Sequence, residues 1–305
     1  MSQDGAVAER DANTPALSVL IRVRGALPSL RPAEQRVARA VLSDPAAVSE
    51  SSITRLARQC QTSETTVLRF CRAIDLAGYP ELRIALARAA QWEETDKRAG
   101  APLNGTINQG DSLSDLVAKI THADSRAIDE TGAAVDLRTL AAAVDSVASA
   151  RRIDIYGVGA SALVAHDLHQ KLHRIGLTSF SWADPHLALT SAALLTNKDV
   201  AIGISHTGST VDVIDALRVA RENGATTVAV TNFVKAPIAA QAELVLTTAA
   251  RETTFRSGAM SSRIAQLALV DCLFAAVAQR SYAAAISDLE TTYAAIQSRH
   301  GSRPS

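Results

Sequence analysis

The sequence predicts an all-α N-terminal domain followed by an α/β domain built on a doubly wound, parallel, five-stranded sheet. Three observations carry this. Residues 28–90 show only helical spacing of apolar side chains, while from residue 151 short β-branched runs alternate with amphipathic segments. Between them residues 91–111, "QWEETDKRAGAPLNGTINQGD", lose periodicity and collect Gly, Asn, Pro and charge, as a linker would. A length of 305 residues suits two domains. The expected divisions are a tail at 1–15, a helical domain at 16–90, a linker at 91–111, the α/β domain at 112–290 and a tail at 291–305.

The helical elements follow in order. "RPAEQRVARAVLSD" opens on Pro32, favourable at a first helical position, with Val37, Ala38 and Val41 on one side. "SSITRLARQC" has Ser51 or Ser52 as N-cap and Ile53, Leu56, Ala57 and Cys60 on one face. After Gln61-Thr62, Ser63 caps "ETTVLRFCRAIDL", where Val67, Phe70, Cys71 and Ile74 form a stripe at i, i+3, i+4, i+7. Gly78-Tyr79-Pro80 stops that helix and "ELRIALARAA" begins another. Past the linker, Leu113, Leu116, Val117 and Ile120 repeat the helical spacing, and residues 136–149 form an Ala-rich helix.

The strands are "RIDIYGV", "TSFSW", "DVAIGIS", "TTVAVTN" and "LVLTTA", separated by helical segments. Their apolar runs lack polar alternation, which fits a sheet buried on both faces. A long helix, "SSRIAQLALVDCLFAAVAQR", closes the domain. Its apolar core is interrupted by Asp271, and no membrane span is expected. The N-terminal stretch lacks the basic and apolar regions of a secretory signal. The three cysteines, Cys60, Cys71 and Cys272, form no C-x-x-C pair, which points to reduced thiols in a cytoplasmic protein.

Net charge is zero, yet residues 15–90 hold 11 Arg, no Lys and 6 acids, a balance of +5. A basic first quarter is the footprint of a nucleic-acid contact. Two short helices joined by a tight turn form a helix-turn-helix, whose second helix reads the major groove of double-stranded DNA. The candidate contacts are Thr62, Ser63, Glu64, Thr65, Thr66, Arg69 and Arg72, on or before the outer face opposite Val67 and Phe70. Arg31, Arg36, Arg55 and Arg58 are candidate backbone clamps. A plain helical hairpin with solvated arginines fits the spacing too.

Two turns fall where a doubly wound sheet binds ligands, beyond the carboxyl ends of its strands. One is Gly157-Val158-Gly159-Ala160-Ser161; the other is Ser205-His206-Thr207-Gly208-Ser209-Thr210. Glycines admit close approach, helix N-termini favour an anion, and Ser161, Ser205, Thr207, Ser209 and Thr210 supply neutral donors. That suits a phosphate on a small polar molecule. "GVGASA" lacks the third glycine of the dinucleotide fingerprint, and "GISHTGST" lacks the Gly-Lys-Ser/Thr of a P-loop, so no nucleotide cofactor is expected. Helix capping alone could employ one or two of the five hydroxyls.

"GVGAS", "DVAIGISHTGST", "ATTVAVTN" and "AELVLTT" resemble the sugar isomerase (SIS) domain. "TRLARQCQTSETTVLRFCRAIDLAGYPELR" resembles the winged-type helix-turn-helix of the RpiR/MurR bacterial regulators. The resemblance covers roughly residues 18–285 and implies a transcriptional regulator, expected to be a repressor, controlled by a sugar phosphate. It implies that Ser161 in the first turn, and Ser205, Thr207 and Thr210 in the second, hold the ligand; Gly159, Gly208 and Ser209 of the same turns are candidates by position, and His206 either donates to the ligand or points away. Thr207 stands where many relatives carry Ser, and Asp75 stands where a glycine is common before the "GYPEL"-like stretch.

Glu252, after the last strand, is a candidate for accepting sugar hydroxyls, with Arg256 or Arg263 pairing with anionic groups. His166, His169 and His173 share a helix face, for which a polar face or subunit contact is expected rather than a metal. The competing function is a phosphosugar isomerase or lyase, whose general base would be Glu252 or His206. Operator symmetry leads us to expect a homodimer or homotetramer.

Overall fold

A computed structural model describes residues 19–20, 22–98, 107–252 and 259–297. The chain divides into two compact units: 1–134 with 233–235 and 249–261, and 135–232 with 236–248 and 262–305.

In the first unit, helical residues 22–26 lead into α1 (Pro32–Ser43), α2 (Pro45–Glu50), α3 (Ile53–Gln59), α4 (Glu64–Ala73), α5 (Tyr79–Arg98) and α6 (Leu113–Ala134). The apolar stripes read from the sequence converge: Val37, Val41, Leu56, Val67, Phe70, Ile74 and Leu82 are buried together. Three differences from expectation have local causes. Helix α2 forms because Asp44 accepts the Ala47 amide at 2.9 Å and Pro45 stands at its first position. Helix α5 runs to Arg98, into the predicted linker, since "QWEETDKR" contains no helix breaker. Helix α6, expected with the α/β domain, clusters with the first unit. No strand occurs among the described residues of 1–134, as expected of an all-α domain.

The buried carboxylate of Glu130 organises α6. It accepts from Arg24 at 3.3 Å, Arg126 at 2.8 Å and Arg251 at 3.0 Å. Next to it, Thr131 accepts the Ala249 amide at 3.0 Å. Burial pushes the Glu130 carboxyl up, but the facing guanidinium groups of Arg251, Arg24 and Arg126 outweigh it and hold it below the ordinary glutamate value.

The second unit contains α7 (Leu137–Ser149), β1 (Arg152–Gly157), α8 (Ala160–Arg174), β2 (Ser179–Trp182), α9 (Pro185–Ala192), β3 (Asp199–Ile204), α10 (Val211–Glu222), β4 (Thr226–Thr231), β5 (Leu244–Thr247), α11 (Met260–Arg280) from residue 262 onward, and α12 (Tyr282–Gln297). Helix α12 continues into the predicted tail as far as Gln297. All strand pairings are parallel, in the order β2-β1-β3-β4-β5. The two sheet faces differ in bulk. Ile153, Ile155, Val200, Ile202, Ile204, Val228 and Val230 pack with α7, α8 and α11. The alternate positions carry Asp154, Ala201, Gly203 and Ala229. A side chain at Gly203 would come within 2.5 Å of Leu217 on α10, so this glycine lets that helix lie close. On the same strand face the buried Asp154 carboxylate accepts from Arg152, Trp182 and Ser191, tying β2 and α9 to β1.

Helix α11 is long and apolar enough to cross a membrane by length and composition alone. Its Leu269, Val270, Leu273 and Val277 are nevertheless buried in the sheet core, which explains the hydropathy as that of a core helix.

Replacing Glu130 with Gln leaves three guanidinium groups facing a neutral amide and should cost about 2–4 kcal/mol. Because the folded carboxyl is depressed, its contribution is full above the ordinary glutamate value and is lost as the pH falls through the folded value. Urea denaturation should therefore show a wide gap between the two proteins at pH 7 that narrows as the pH falls below the ordinary glutamate value and closes once it passes the folded one. Asp75 holds a left-handed φ of 58°. Asp75→Gly should raise the unfolding midpoint by the equivalent of about 0.5–1 kcal/mol, measured by thermal melting.

Candidate functional site

Helices α3 and α4 are joined by Cys60-Gln61-Thr62-Ser63. Gln61 takes a φ of 49°, and the Thr62 amide donates to the Ala57 carbonyl at 2.9 Å. Arg36 closes this turn: its Nε donates to the Cys60 carbonyl and its Nη2 to the Gln61 carbonyl, both at 2.8 Å. The residue foreseen as a DNA-backbone clamp is thus engaged in holding the turn itself.

Ser63 caps α4 by accepting the Thr66 amide at 3.2 Å. Ser63, Glu64, Thr65, Arg69 and Arg72 are exposed and Thr62 is half-buried. Thr66 is a correction: it is buried, 3.1 Å from the Ser63 hydroxyl, because the third residue of a capped helix turns back toward its cap. Glu64 accepts the Thr54 hydroxyl at 2.6 Å, and Arg69 lies 3.5 Å from the buried Glu34 of α1, so both brace the motif as well as facing outward. Leu68 was missed. It is 37% exposed, on the outer face between Thr65 and Arg72. The signal was available, since position 68 lies one turn from both Glu64 and Arg72.

The second cluster is built by strand register. Gly157 at the end of β1 pairs with Ile204 at the end of β3, so the two turns leave adjacent parallel strands side by side. This is the point where the strand order reverses, the binding crevice of a doubly wound sheet. Gly157 is required because a Cβ there would lie 2.6 Å from the Ser161 carbonyl oxygen. Gly159 takes φ 61° and ψ −126°, with open space where a side chain would project.

In the second turn, Ser205 and Thr210 share a hydrogen bond of 2.9 Å, and the Gly208 amide donates to the Ser205 hydroxyl at 3.1 Å. The Ser209 amide donates to the Thr207 hydroxyl at 3.3 Å. The His206 carbonyl accepts the Asn232 amide at 3.1 Å, anchoring the turn to β4's end. Gly208 has φ 64° and is tightly enclosed: a Cβ would meet Ala236 at 2.4 Å and Thr231 Oγ1 at 2.8 Å.

The capping account of these hydroxyls does not hold for the two helices that start here. Ser52, Ser63, Asp136 and Asp184 each cap their helix with a side-chain oxygen. Helices α8 and α10 have no side-chain cap at Gly159 or Thr210. Thr210 turns its hydroxyl to Ser205 instead. Two helix N-termini therefore end at the switch point without a side-chain acceptor, an arrangement that favours an anion.

Glu252 is half-buried in the 249–261 stretch that clusters with the first unit. Arg256 lies outside the described residues, and Arg263 is half-buried on α11. His166, His169 and His173 follow one another with ring centroids 5.9 and 5.8 Å apart and ring planes tilted by 45° and 39°. Burial, then the neighbouring His166 and His173, hold the His169 imidazole below its ordinary value. Cys60 and Cys71 are buried, and burial pushes the Cys71 thiol up to about 11.

Residues 17–93 match the helix-turn-helix domain of the rpiR family, and residues 146–276 match the SIS domain. The chain is 40% identical over 274 residues to an uncharacterised HTH-type transcriptional regulator of Caldanaerobacter subterraneus, covering 90% of this chain and 95% of that protein. It is 32% identical over 258 residues to the HTH-type transcriptional regulator HexR of Escherichia coli, covering 84% of this chain and 86% of HexR. Among solved structures, the NanR protein of Vibrio vulnificus complexed with ManNAc-6P superposes with a TM-score of 0.57 at 28% identity, over 91% of this chain and 98% of NanR. The fold and the two matched domains are those of a helix-turn-helix transcriptional regulator with a SIS domain. The chain belongs to the RpiR family, whose matched relatives are regulators rather than enzymes.

Gly208→Ala forces a side chain into backbone of positive φ and against Ala236 and Thr231. It should destabilise the second unit by about 2–4 kcal/mol, read as a lowered melting temperature.

Proposed function

We propose that this DNA-binding regulator senses a sugar phosphate held at the β1/β3 switch point, and that occupancy there changes its affinity for a double-stranded operator. Two uncapped helix N-termini, side by side at adjacent strand ends with turns rich in neutral hydroxyls, carry this reading. The helix termini favour the phosphate charge, while Ser161, Ser205, Thr207, Ser209 and Thr210 offer donors without a competing charge. His206 is assigned to the sugar portion. The ManNAc-6P bound by the similar NanR protein supports a phosphorylated amino sugar or related carbohydrate as effector.

The DNA face is assigned to Thr62, Ser63, Glu64, Thr65, Leu68, Arg69 and Arg72 of α4 and the preceding turn. Arg72 is exposed and suited to a guanine edge or a phosphate, and Leu68 to a thymine methyl. We assign the protein to the cytoplasm as a repressor of carbohydrate or amino-sugar genes, acting as a homodimer or homotetramer on a symmetric operator.

Arg72→Ala should weaken binding to DNA upstream of the protein's own gene by about tenfold in a mobility-shift assay, with sugar-phosphate affinity unchanged. Ser205→Ala should do the reverse, keeping unliganded DNA binding and losing the effector response. Loss of both activities in both variants would refute the division of labour. Absence of any DNA shift, together with aldose–ketose turnover, would refute the regulator.

A further inference from the structure

We propose that Gln266 is a further ligand-contacting residue of the candidate cradle, its side-chain amide donating to a phosphate oxygen beside Ser161; this rests on the sugar-phosphate reading above. Gln266 lies two turns into α11 and is only 1% exposed. Its Oε1 lies 3.4 Å from the Ser161 hydroxyl, longer than a well-made hydroxyl hydrogen bond. Its Nε2 is buried without any hydrogen-bond partner. Exchanging the amide oxygen and nitrogen does not remove the anomaly, because one end of the group then still lacks a partner.

A buried amide nitrogen with two unmet donors is costly, on the order of 1–3 kcal/mol. The rest of the sheet core around α11 is aliphatic, and a methionine or leucine would fill the space without that cost. The polar choice is explained by where the amide sits. Ser161 is the second residue of α8, whose N-terminus has no side-chain cap and whose preceding glycine faces open space. The orphaned amide therefore adjoins a helix N-terminus, a loosely committed hydroxyl and an unfilled approach. The amide, the helix N-terminus and the hydroxyl all supply donors. The one missing component is an acceptor, and an anionic oxygen meets all three at once. Because the amide is neutral, it reads the oxygen by geometry rather than by charge.

The full chain and its Gln266→Met and Gln266→Glu variants should be titrated calorimetrically with glucosamine 6-phosphate and N-acetylmannosamine 6-phosphate. Unphosphorylated N-acetylmannosamine and Ser205→Ala serve as parallel controls. We expect the Met variant to hold the sugar phosphate about tenfold more weakly, as for loss of one hydrogen bond to a charged group. The Glu variant sets a carboxylate against the phosphate and should lose about a hundredfold or more. The unliganded Met variant should melt no lower than the wild type, since the unmet amide is gone. Unchanged affinity in both Gln266 variants, with binding lost in Ser205→Ala, would overturn the contact and leave the amide to the fold or an internal water. Equal weakening by Met and Glu would overturn the phosphate assignment in favour of a sugar hydroxyl. If the wild type binds neither sugar phosphate, the cradle reading falls, and the Gln266 contact with it.

Discussion

The parallel pairing of β1 with β3 is the constraint on which the second unit depends. Because β2 lies on the far side of β1, and β4 on the far side of β3, the chain must leave the two central strands in opposite directions. Right-handed crossovers then send α8 to one face and α10 to the other. The turns that begin those crossovers stay at the centre, started from the paired Gly157 and Ile204. No side chain chooses this location. Register and handedness do, and the side chains then decide what the location can hold.

The same constraint explains why so much of this unit was legible. The central strands β3 and β4 are buried on both faces, so "DVAIGI" and "TTVAVT" appeared as largely apolar runs of about the right length. The glycines were legible for steric reasons that the structure specifies: Gly157 meets the Ser161 backbone, and Gly208 is walled in by Ala236 and Thr231. Gln266 was not legible. In "SRIAQLALVD" it sits inside a helical stripe, and nothing in the spacing reveals that its amide reaches another helix's first turn. Asp154 escaped notice for the same reason, since its partners Trp182 and Ser191 lie 28 and 37 residues away.

In the first unit the helical period found the core but could not decide the fate of individual polar residues. Thr66 looked like an outer-face residue by angle and is buried by its cap. Arg36 looked like a phosphate clamp and is engaged with two carbonyls of the turn. Both errors arise from local hydrogen bonding to backbone groups that helix ends leave unsatisfied, a demand that periodicity does not register. Loss of apolar spacing was also mistaken for loss of helix at residues 91–98, although a helix needs apolar spacing only where it packs.

Charge is used in opposite ways by the two buried polar systems. Glu130 is neutralised by three guanidinium groups and holds the unit together in the absence of any ligand. The hydroxyls at the switch point are joined by hydrogen bonds within their own turn, and the helix N-termini beside them supply only partial positive charge. A helix terminus contributes roughly 0.3–1 kcal/mol to an anion, and a hydrogen bond to a charged group roughly 1.5–3 kcal/mol. A few such contacts, less the entropy of capturing a small solute, give affinities in the micromolar to millimolar range. That is the range in which occupancy follows the concentration of an ordinary metabolite. A ring of lysines or arginines would bind phosphate more tightly and discriminate less among its bearers. A neutral cradle of the kind proposed would release its ligand when the concentration falls, and would leave selectivity to the geometry of the hydroxyls and of the amide at Gln266. Any effect on operator affinity is bounded by the difference in effector affinity between the DNA-competent and DNA-incompetent forms. Weak, reversible binding is therefore compatible with strong regulation, provided that the two hydroxyl-bearing turns are well formed in only one of the two.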